Sequence, residues 1–589
     1  MSKTSQYKYL LKGIPASPGI AIGKPHQLRG SNILPPEKNL SEKEIQMEVE
    51  RFRNAVSLAK RELKELREEA AQKMGEDGAK IFEVHQMLLD DQLLIDETIN
   101  QIRSEKKNAD LIFYHRMKHY QEALEGMEND YFRSRSFDIK DVRQRIIKNM
   151  QGEDQKHLNL LQDPRVIVSR ELTPSDTVNL ERSKILAFVT ELGGRTSHAA
   201  IMASSLEIPL VVGIDNISAF VKDTYIWVVD GISGEIVIDP SPQLLEHYRK
   251  LQKEFYEYEQ NLSTIRELPC QTLDGKDIEL SANLEFPGDI QSVSAHGARG
   301  IGLYRTEYLY LARTQLPSEE EQYQEYTRIA EAIFPNPVII RAVDLGGDKQ
   351  SDCIPIPKEA NPFLGWRGIR ICLDEQILFK AQLRAILRAS TRGNVKLIFP
   401  LISSVTELDK CINLVNDVKN ELKQEGIAFN EKLEIGAMIE VPGTALITDI
   451  IASKVDFLSI GTNDLIQFSL AVDRGNERIA ELYQPFHPAV LRLIRHIVRE
   501  GHRKHVWVGM CGEMASDPLA ILVLVGLGLD ELSVSPVFLP EIKQIIRSVH
   551  YGECVQIAEQ VMKMSSCDEI KNHMMQIMKH KFGYPRFHQ

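Results

Sequence analysis

The feature that most constrains this chain is a series of eight short apolar segments in its carboxyl-terminal half: IELSA, GIGLY, VIIRAVD, KLIFPLI, EIGAMIE, DFLSIG, VWVGM and ELSVS. Helical patterns separate most of them. Eight strands alternating with helices over about 300 residues predict a (β/α)8 barrel, a fold whose chemistry sits at the carboxyl ends of its strands. The residues at the carboxyl ends of these runs include Asn283, Arg305, Arg341 with Asp344, Glu440, Asn463 with Asp464, and Cys511. Ionisable groups collected at the same end of successive strands describe a site better than a set of solvated loops.

At 589 residues the chain exceeds what one hydrophobic core supports. Residues 1 to 30 are rich in Gly, Pro and small side chains, and the texture changes at Ser41. Ser41 and Glu44 have capping-box spacing, and Ile45, Val49, Phe52, Val56, Ala59, Leu63 and Leu66 follow at steps of four and three. That spacing lays one apolar stripe along a helix. Further helical patterns occupy residues 79 to 150, including IFEVHQMLL and DVRQRIIKNM, and together they predict a small helical bundle. From Val166 the β-branched runs VIVS, ILAFV, IPLVVG, IWVVDG and EIVIDP predict an α/β domain. The amino-terminal segment is its natural complement, which makes the bundle an insertion. The expected organisation is an α/β domain from 1–30 and 151–240, an inserted helical domain over 31–150, a linker helix over 241–268, and the barrel over 269–589.

Formal net charge is -12, so the surface as a whole repels phosphodiesters, and no basic patch argues for a nucleic-acid partner. No uninterrupted apolar run is long enough to cross a bilayer. The amino-terminal MSKTSQYKYLLKGIPASPG lacks the sustained apolar core of a signal peptide, so a cytoplasmic protein without membrane association is expected. Cysteines 270, 353, 372, 411, 511, 554 and 567 show no C-x-x-C spacing, which argues against a zinc ribbon or a disulfide framework.

The segment GGRTSHAAIMASSLEIPLVVG places His198 after a Gly-rich turn and before a small-residue helix. There, backbone N–H groups and the helix dipole can hold a phosphate. Gly193 and Gly194 allow close backbone approach, and Arg195 supplies a fixed cation. A lone histidine is more often structural, so the motif around it carries the reading. That motif resembles the phosphohistidine segment of the Enzyme I family of the bacterial phosphotransferase system and its dikinase relatives. The resemblance continues in the family's order through LTPSDT (172–177), GIGLYRTEYLY (300–310), RAVDLGGDK (341–349), NPFLGWRGIR (361–370), IGAMIEVPG (435–443), SIGTNDLIQFSLAVDRGN (459–476) and MCGEMASDP (510–518).

What the resemblance implies is a multidomain α/β protein. A swivelling phosphohistidine domain would carry the inserted helical bundle, and a linker helix would lead to a (β/α)8 barrel that binds phosphoenolpyruvate and forms a homodimer. The implied activity takes the phosphoryl group of phosphoenolpyruvate onto His198 and passes it to the phosphocarrier protein HPr, releasing pyruvate. Arg305, Arg341, Arg367 and Arg474 match the family's substrate-binding arginines, and guanidinium forks suit both the phosphate and the carboxylate. Asn463 is expected to bind the substrate carboxylate, and Lys349 lies in a loop suited to anion contact. Glu440 and Asp464 match magnesium ligands, and two carboxylates with substrate oxygens and water make an octahedral Mg2+ site. Cys511 matches the general acid, and Thr177 the residue that contacts His198. Glu83, His85, Met87, Leu88, Asp91 and Arg135 fall at positions resembling the carrier-binding surface, although Met87 and Leu88 serve equally well as bundle core.

The chain departs from the family's usual pattern at Ala199, Ser204, Gly368 and Gly443. None of these is a reacting group, so tuning of rate or carrier choice is the expected effect. A pyruvate phosphate dikinase would need a large ATP-binding domain. No G-x-x-x-x-G-K-[ST] occurs, and the first 150 residues are too short and too helical to supply one. A module that kept the fold without turnover is disfavoured by the retention of His198, the arginines, both carboxylates and Cys511.

Overall fold

The computed structural model describes the chain apart from residues 1–6, 29–34, 91, 126–129, 152–162, 173–181, 195–199, 201–202, 204–207, 286–289, 312, 314, 348, 350, 352, 358 and 583–589. Within helices it gives the backbone alone for 69–84, 87, 92–93, 123–125, 130–138, 259, 263, 291 and 477. The chain divides into two compact units, Met1–Tyr258 and Glu259–Tyr584.

In the first unit, strands β1 (Tyr9–Lys12), β2 (Ile14–Ser17), β3 (Ile20–Gly23) and β4 (Pro25–Gln27) precede helices α1 (Glu42–Asp90), α2 (Gln92–Glu105), α3 (Ala109–Glu125) and α4 (Asp130–Gln151). Strands β5 (Arg165–Ser169), β6 (Ile185–Thr190), β7 (Leu210–Val212), β8 (Trp227–Asp230) and β9 (Glu235–Ile238) follow. They form an antiparallel sheet in the order β1-β9-β8-β3 and a second sheet in the order β2-β7-β6-β5-β4. Val166, Val168, Val189 and Val211 of the second sheet pack with Trp227, Val229 and Ile236 of the first. Ile167, Phe188 and Leu210 face the other way and pack on Ala200 and Ala203. Both faces of β5 and β6 are thus covered, which is why they read as unbroken apolar runs.

Pro25–Gln27 pair in parallel with Val166–Val168, so the four helices leave and re-enter between adjacent strands. The apolar stripe of α1 is buried in full: Val49, Phe52, Ala59 and Leu63 are 0 % exposed. Ser41 and Glu44 cap its start, with the Glu44 carboxylate accepting the Ser41 backbone N–H at 2.8 Å. Arg51 ties three helices together, donating to Glu48, to Asp110 at 2.9 Å and to the Met150 carbonyl at 3.0 Å. The sequence divides this region near residue 79, yet α1 runs unbroken to Asp90 through Gly75 and Gly78. No proline interrupts it, and two glycines cost a helix only about 1 kcal/mol each. The next helix, α5 (Pro242–Thr264), contains the boundary between the two units.

In the second unit, β10 (Glu279–Leu284), β11 (Ile301–Tyr304), β12 (Val338–Arg341), β13 (Val395–Phe399), β14 (Ile435–Ile439), β15 (Phe457–Ile460), β16 (Trp507–Met510) and β17 (Glu531–Val534) close into a barrel. All eight apolar segments become its parallel strands, and β17 pairs with β10 from Glu279↔Glu531 to Ala282↔Val534. Leu303, Ile339, Ile398, Met438 and Phe457 fill the interior. Phe457 and Trp507 stack there with ring centroids 4.7 Å apart. The first strand is longer than the segment IELSA suggests, so Asn283 lies inside β10 and not beyond it. Among the described residues, no helix is long and apolar enough to cross a membrane.

Candidate functional site

A cleft of about 580 Å3, counted to its open mouth, lies at the carboxyl ends of the barrel strands. Arg305, Arg341, Lys349, Glu440, Asn463, Asp464, Arg474 and Cys511 all line it. Arg305 follows β11, Arg341 ends β12, Glu440 follows β14 and Cys511 follows β16. Asn463 and Asp464 open the short helix Thr462–Leu470 after β15. The barrel topology therefore converges residues spread over more than two hundred positions of sequence onto one surface.

Two of the cations on that surface, Arg341 and Lys349, are held by a buried acidic hub. Asp344 accepts from both the Nε and Nη2 of Arg367, at 3.3 and 3.0 Å. It also lies 3.5 Å from Arg341 and 3.6 Å from Lys349. Burial alone would raise the Asp344 carboxyl, but Arg367, Lys349 and Arg341 hold it well below the usual carboxylate range. Glu307 completes the hub, accepting from Arg341 at 2.9 Å and from the Asp344 backbone N–H at 2.8 Å. Such fixed pairs orient guanidinium groups before any ligand arrives, which is the condition for electrostatic stabilisation without reorganisation.

Arg367 departs from the expectation of a direct substrate contact. It is 0 % exposed, does not line the cleft, and gives its N–H groups to Asp344 and to Asp464, the latter at 3.2 and 3.4 Å. A guanidinium with five donors can bridge two carboxylates, and here that bridge lies beneath the floor of the cleft.

Glu440 accepts the Leu401 N–H at 2.6 Å. Burial, reinforced by the charges of Asp464 and Asp344, pushes its carboxyl up to about 7. Excess negative charge beside Asp464 suits a hard divalent cation, for which carboxylate oxygens are the proper ligands. Among the described residues no group of three or more His, Cys, Asp or Glu side chains forms a complete metal cage, so the remaining positions would fall to substrate and water. Cys511 is 3 % exposed, and burial pushes its thiol up to about 11. It therefore carries its proton at neutral pH. Arg305 pairs with Glu285. Asn463 and Glu513 bond reciprocally at 2.9 Å, amide to carboxylate and backbone N–H to amide oxygen.

His198, Thr177 and Asp91 lie outside the described residues. The turn before His198 leaves the end of β6, and Ala200 and Ala203 beyond it pack against the sheet. Glu83, Met87 and Arg135 lie on α1 and α4 with only their backbone described. Leu88 packs half-buried against the helical core. His85 does not belong to an exposed surface: it is 0 % exposed, with Nδ1 3.5 Å from Asp141 of α4. An imidazole between helices organises their packing and cannot itself touch a docked protein. The residues missed from sequence are Glu307 and Glu513, while Asn283 is marked there by its place at a strand end but given no role. The two glutamates stand within GIGLYRTEYLY and MCGEMASDP, yet nothing in their spacing marks them as partners of Arg341 and Asn463.

Three family descriptions match in chain order: "PEP-utilising enzyme, N-terminal" over residues 12–135, "PEP-utilising enzyme, mobile domain" over 161–234 and "PEP-utilising enzyme, PEP-binding domain" over 259–551. A phosphoenolpyruvate-protein phosphotransferase of Bacillus sp. (strain S) is 41 % identical over 95 % of this chain and 96 % of its own. The chain belongs to the phosphoenolpyruvate-protein phosphotransferase family of PEP-utilising enzymes. The Bacillus subtilis relative of the same name is 40 % identical over 95 % of this chain and 98 % of its own. A solution structure of an Enzyme I chain (nEIt) matches 42 % of this chain and 99 % of its own at 36 % identity, with a TM-score of 0.37.

Two of this family member's departures lie in the barrel. At Gly443 an added Cβ would meet nothing within 4 Å, so the missing methyl leaves open space. Gly368 is different: its φ of +56° and ψ of -128° are poorly accessible to side-chain-bearing residues, and a Cβ would come 2.8 Å from the Asp344 carboxylate. The glycine is what lets the chain turn tightly beside the hub.

Proposed function

We propose that this chain transfers the phosphoryl group of phosphoenolpyruvate to its own His198 and then to the phosphocarrier protein HPr, releasing pyruvate. The observation that supports it best is the joint cleft of Arg305, Arg341, Lys349, Arg474, two carboxylates and a protonated thiol, in a chain nearly coextensive with curated phosphoenolpyruvate-protein phosphotransferases.

Phosphoenolpyruvate is a small, strongly anionic molecule, and phosphoryl transfer is governed chiefly by positioning and by stabilisation of spread negative charge. Arg305, Arg341, Arg474 and Lys349 bind and orient its phosphate and carboxylate, and the Asn463 amide adds a neutral donor. Enzymes of this family need a metal ion. Glu440 and Asp464 would hold Mg2+, which neutralises phosphate charge when bound. Arg367, through Asp464 and Asp344, fixes both the ligand side and the cation side of the site. Neutral His198 attacks phosphorus through one ring nitrogen, with Thr177 on the other setting the tautomer. The N–P bond forms as the bridging P–O bond breaks, leaving the enolate of pyruvate. The Cys511 thiol then protonates the carbon at C3. The reading further takes Glu83, Met87, Leu88, Asp91 and Arg135 as the docking face for HPr, a barrel-mediated homodimer, and a cytoplasmic location.

The test is incubation of the chain with labelled phosphoenolpyruvate and Mg2+, without ATP. The expected product is an acid-labile phosphoryl adduct that HPr discharges, with one pyruvate released per phosphoryl group taken up. A requirement for ATP would point to a dikinase, and an acid-stable adduct would exclude histidine as the acceptor.

A further inference from the structure

We propose that Asn283, anchored by Ser533, is a positioning residue that aims the Cys511 thiol at the substrate carbon. The proposal rests on the reading of Cys511 as proton donor and adds residues to which that reading gives no role.

Cys511 is the first residue beyond β16, and the ladder between β16 and β17 ends at Met510↔Leu532. On one side the Cys511 backbone N–H still donates to Ile460 of β15 at 3.2 Å. On the other side, where the ladder has stopped, its carbonyl accepts from Asn283 Nδ2 at 3.1 Å. Asn283 belongs to β10, a strand that is not adjacent to β16. Its amide cannot turn over freely, because the hydroxyl of fully buried Ser533 in β17 donates to Asn283 Oδ1 at 2.7 Å. The oxygen is thereby engaged by Ser533 and the NH2 by Cys511. Asparagine is a poor strand former, so local propensity does not account for its place in β10. What the amide adds is a donor directed at the backbone of the residue that carries the thiol.

With the peptide groups on both sides of Cys511 pinned, rotation about χ1 is the main freedom left to Sγ. That matters for one step. As the phosphoryl group leaves, the S–H bond breaks and a C3–H bond forms with the electron pair of the enolate C2=C3 bond. The enolate oxygen becomes the carbonyl of pyruvate, and the thiolate later takes a proton from water. Phosphoryl transfer itself does not need the thiol to be in register. Losing the Asn283 bond should therefore leave substrate binding and His198 phosphorylation nearly intact while protonation becomes slow and loses its preferred face. A misplacement of about 1 Å at a reacting group costs on the order of 10²-fold in rate.

Phosphoenolpyruvate carrying tritium stereospecifically at C3, turned over in D2O with stoichiometric full-length enzyme, tests this directly. Delivery from one face yields pyruvate with a chiral methyl group. Release of enolpyruvate to solution yields a racemic one. The parent chain should give the chiral product, whereas Asn283→Ala and Asn283→Asp should both give largely racemic product. Their steady-state kcat should fall roughly 10- to 100-fold, with KM for phosphoenolpyruvate and the single-turnover rate of self-phosphorylation each within about threefold of the parent. The Asp variant can still accept from Ser533 but cannot donate to the Cys511 carbonyl, so its failure isolates the N–H. Ser533→Ala, which frees the amide without removing it, should racemise in part and covers the case in which an Asn283 variant does not fold. Chiral product from the Asn283 variants would overturn the proposal, as would a parallel loss of binding and self-phosphorylation. Chiral product from Cys511→Ala would instead overturn the reading of Cys511 on which it rests.

Discussion

Replacing Glu531 by Gln should stabilise the barrel, and do so more strongly as pH rises. Glu531 opens β17 opposite Glu279 of β10 and is 3 % exposed. Its two carboxylate oxygens lie against Gly302 and Gly509, where an added Cβ would come within 2.4 Å of each. Burial, with the charge of Glu279 adding to it and Ser281 and Lys396 opposing it, pushes the carboxyl from 4.5 up to about 8. The sign comes from proton counting. Between those two values the folded barrel holds a proton that the unfolded chain has released, so folding stability falls as pH rises through the window. Each pH unit costs up to about 1.4 kcal/mol, and the whole window roughly 4 to 5 kcal/mol as a ceiling. Glutamine fits the same space and does not titrate. Urea titrations at pH 5, 6.5 and 8, with the barrel followed by pulsed hydrogen exchange in peptides covering β10 and β17, should show the two proteins close at pH 5 and the variant ahead at pH 8. Comparison with the parent removes the contribution of groups that titrate in this range independently of Glu531. Parallel stability curves from pH 5 to 8 would refute the reasoning.

His198→Ala should abolish the acid-labile adduct in intact-mass measurements while phosphoenolpyruvate still binds, and a persisting adduct would reassign the acceptor. Glu440→Ala and Asp464→Ala should each lose self-phosphorylation and shift its Mg2+ titration to higher concentration by more than the roughly 10- to 100-fold that loss of a merely supporting residue costs. Gly368→Ala should cost about 1–3 kcal/mol by forcing a side chain into a positive-φ turn against Asp344, and an unshifted urea midpoint of the barrel would contradict it. Charge reversal at Glu83 and Asp91 should slow transfer to HPr and flatten its salt dependence without altering phosphorylation of His198, which a two-step quenched-time assay separates.

The barrel was legible from its eight apolar runs because a strand buried on both faces must be apolar along its length, and that pattern survives in one dimension. The stripe from Ile45 to Leu66 was legible for the same reason, since a period of four and three is the helix surface written into sequence. Residues at strand ends were legible as a group, because the fold itself sends them to one face. Sequence alone thus determined the fold class and nominated the residues that share the cleft. Only the tertiary structure decided that Arg367 lies beneath the floor, that His85 is enclosed between helices, that α1 continues through its glycines to Asp90, and that Asn283 reaches from β10 to Cys511. The buried proton of Glu531 also became visible only once β17 had closed against β10. Each of these depends on distances between residues far apart in the chain, and on the loss of water around them. Neither quantity is carried by local spacing, because burial and charge pairing are properties of the packed whole.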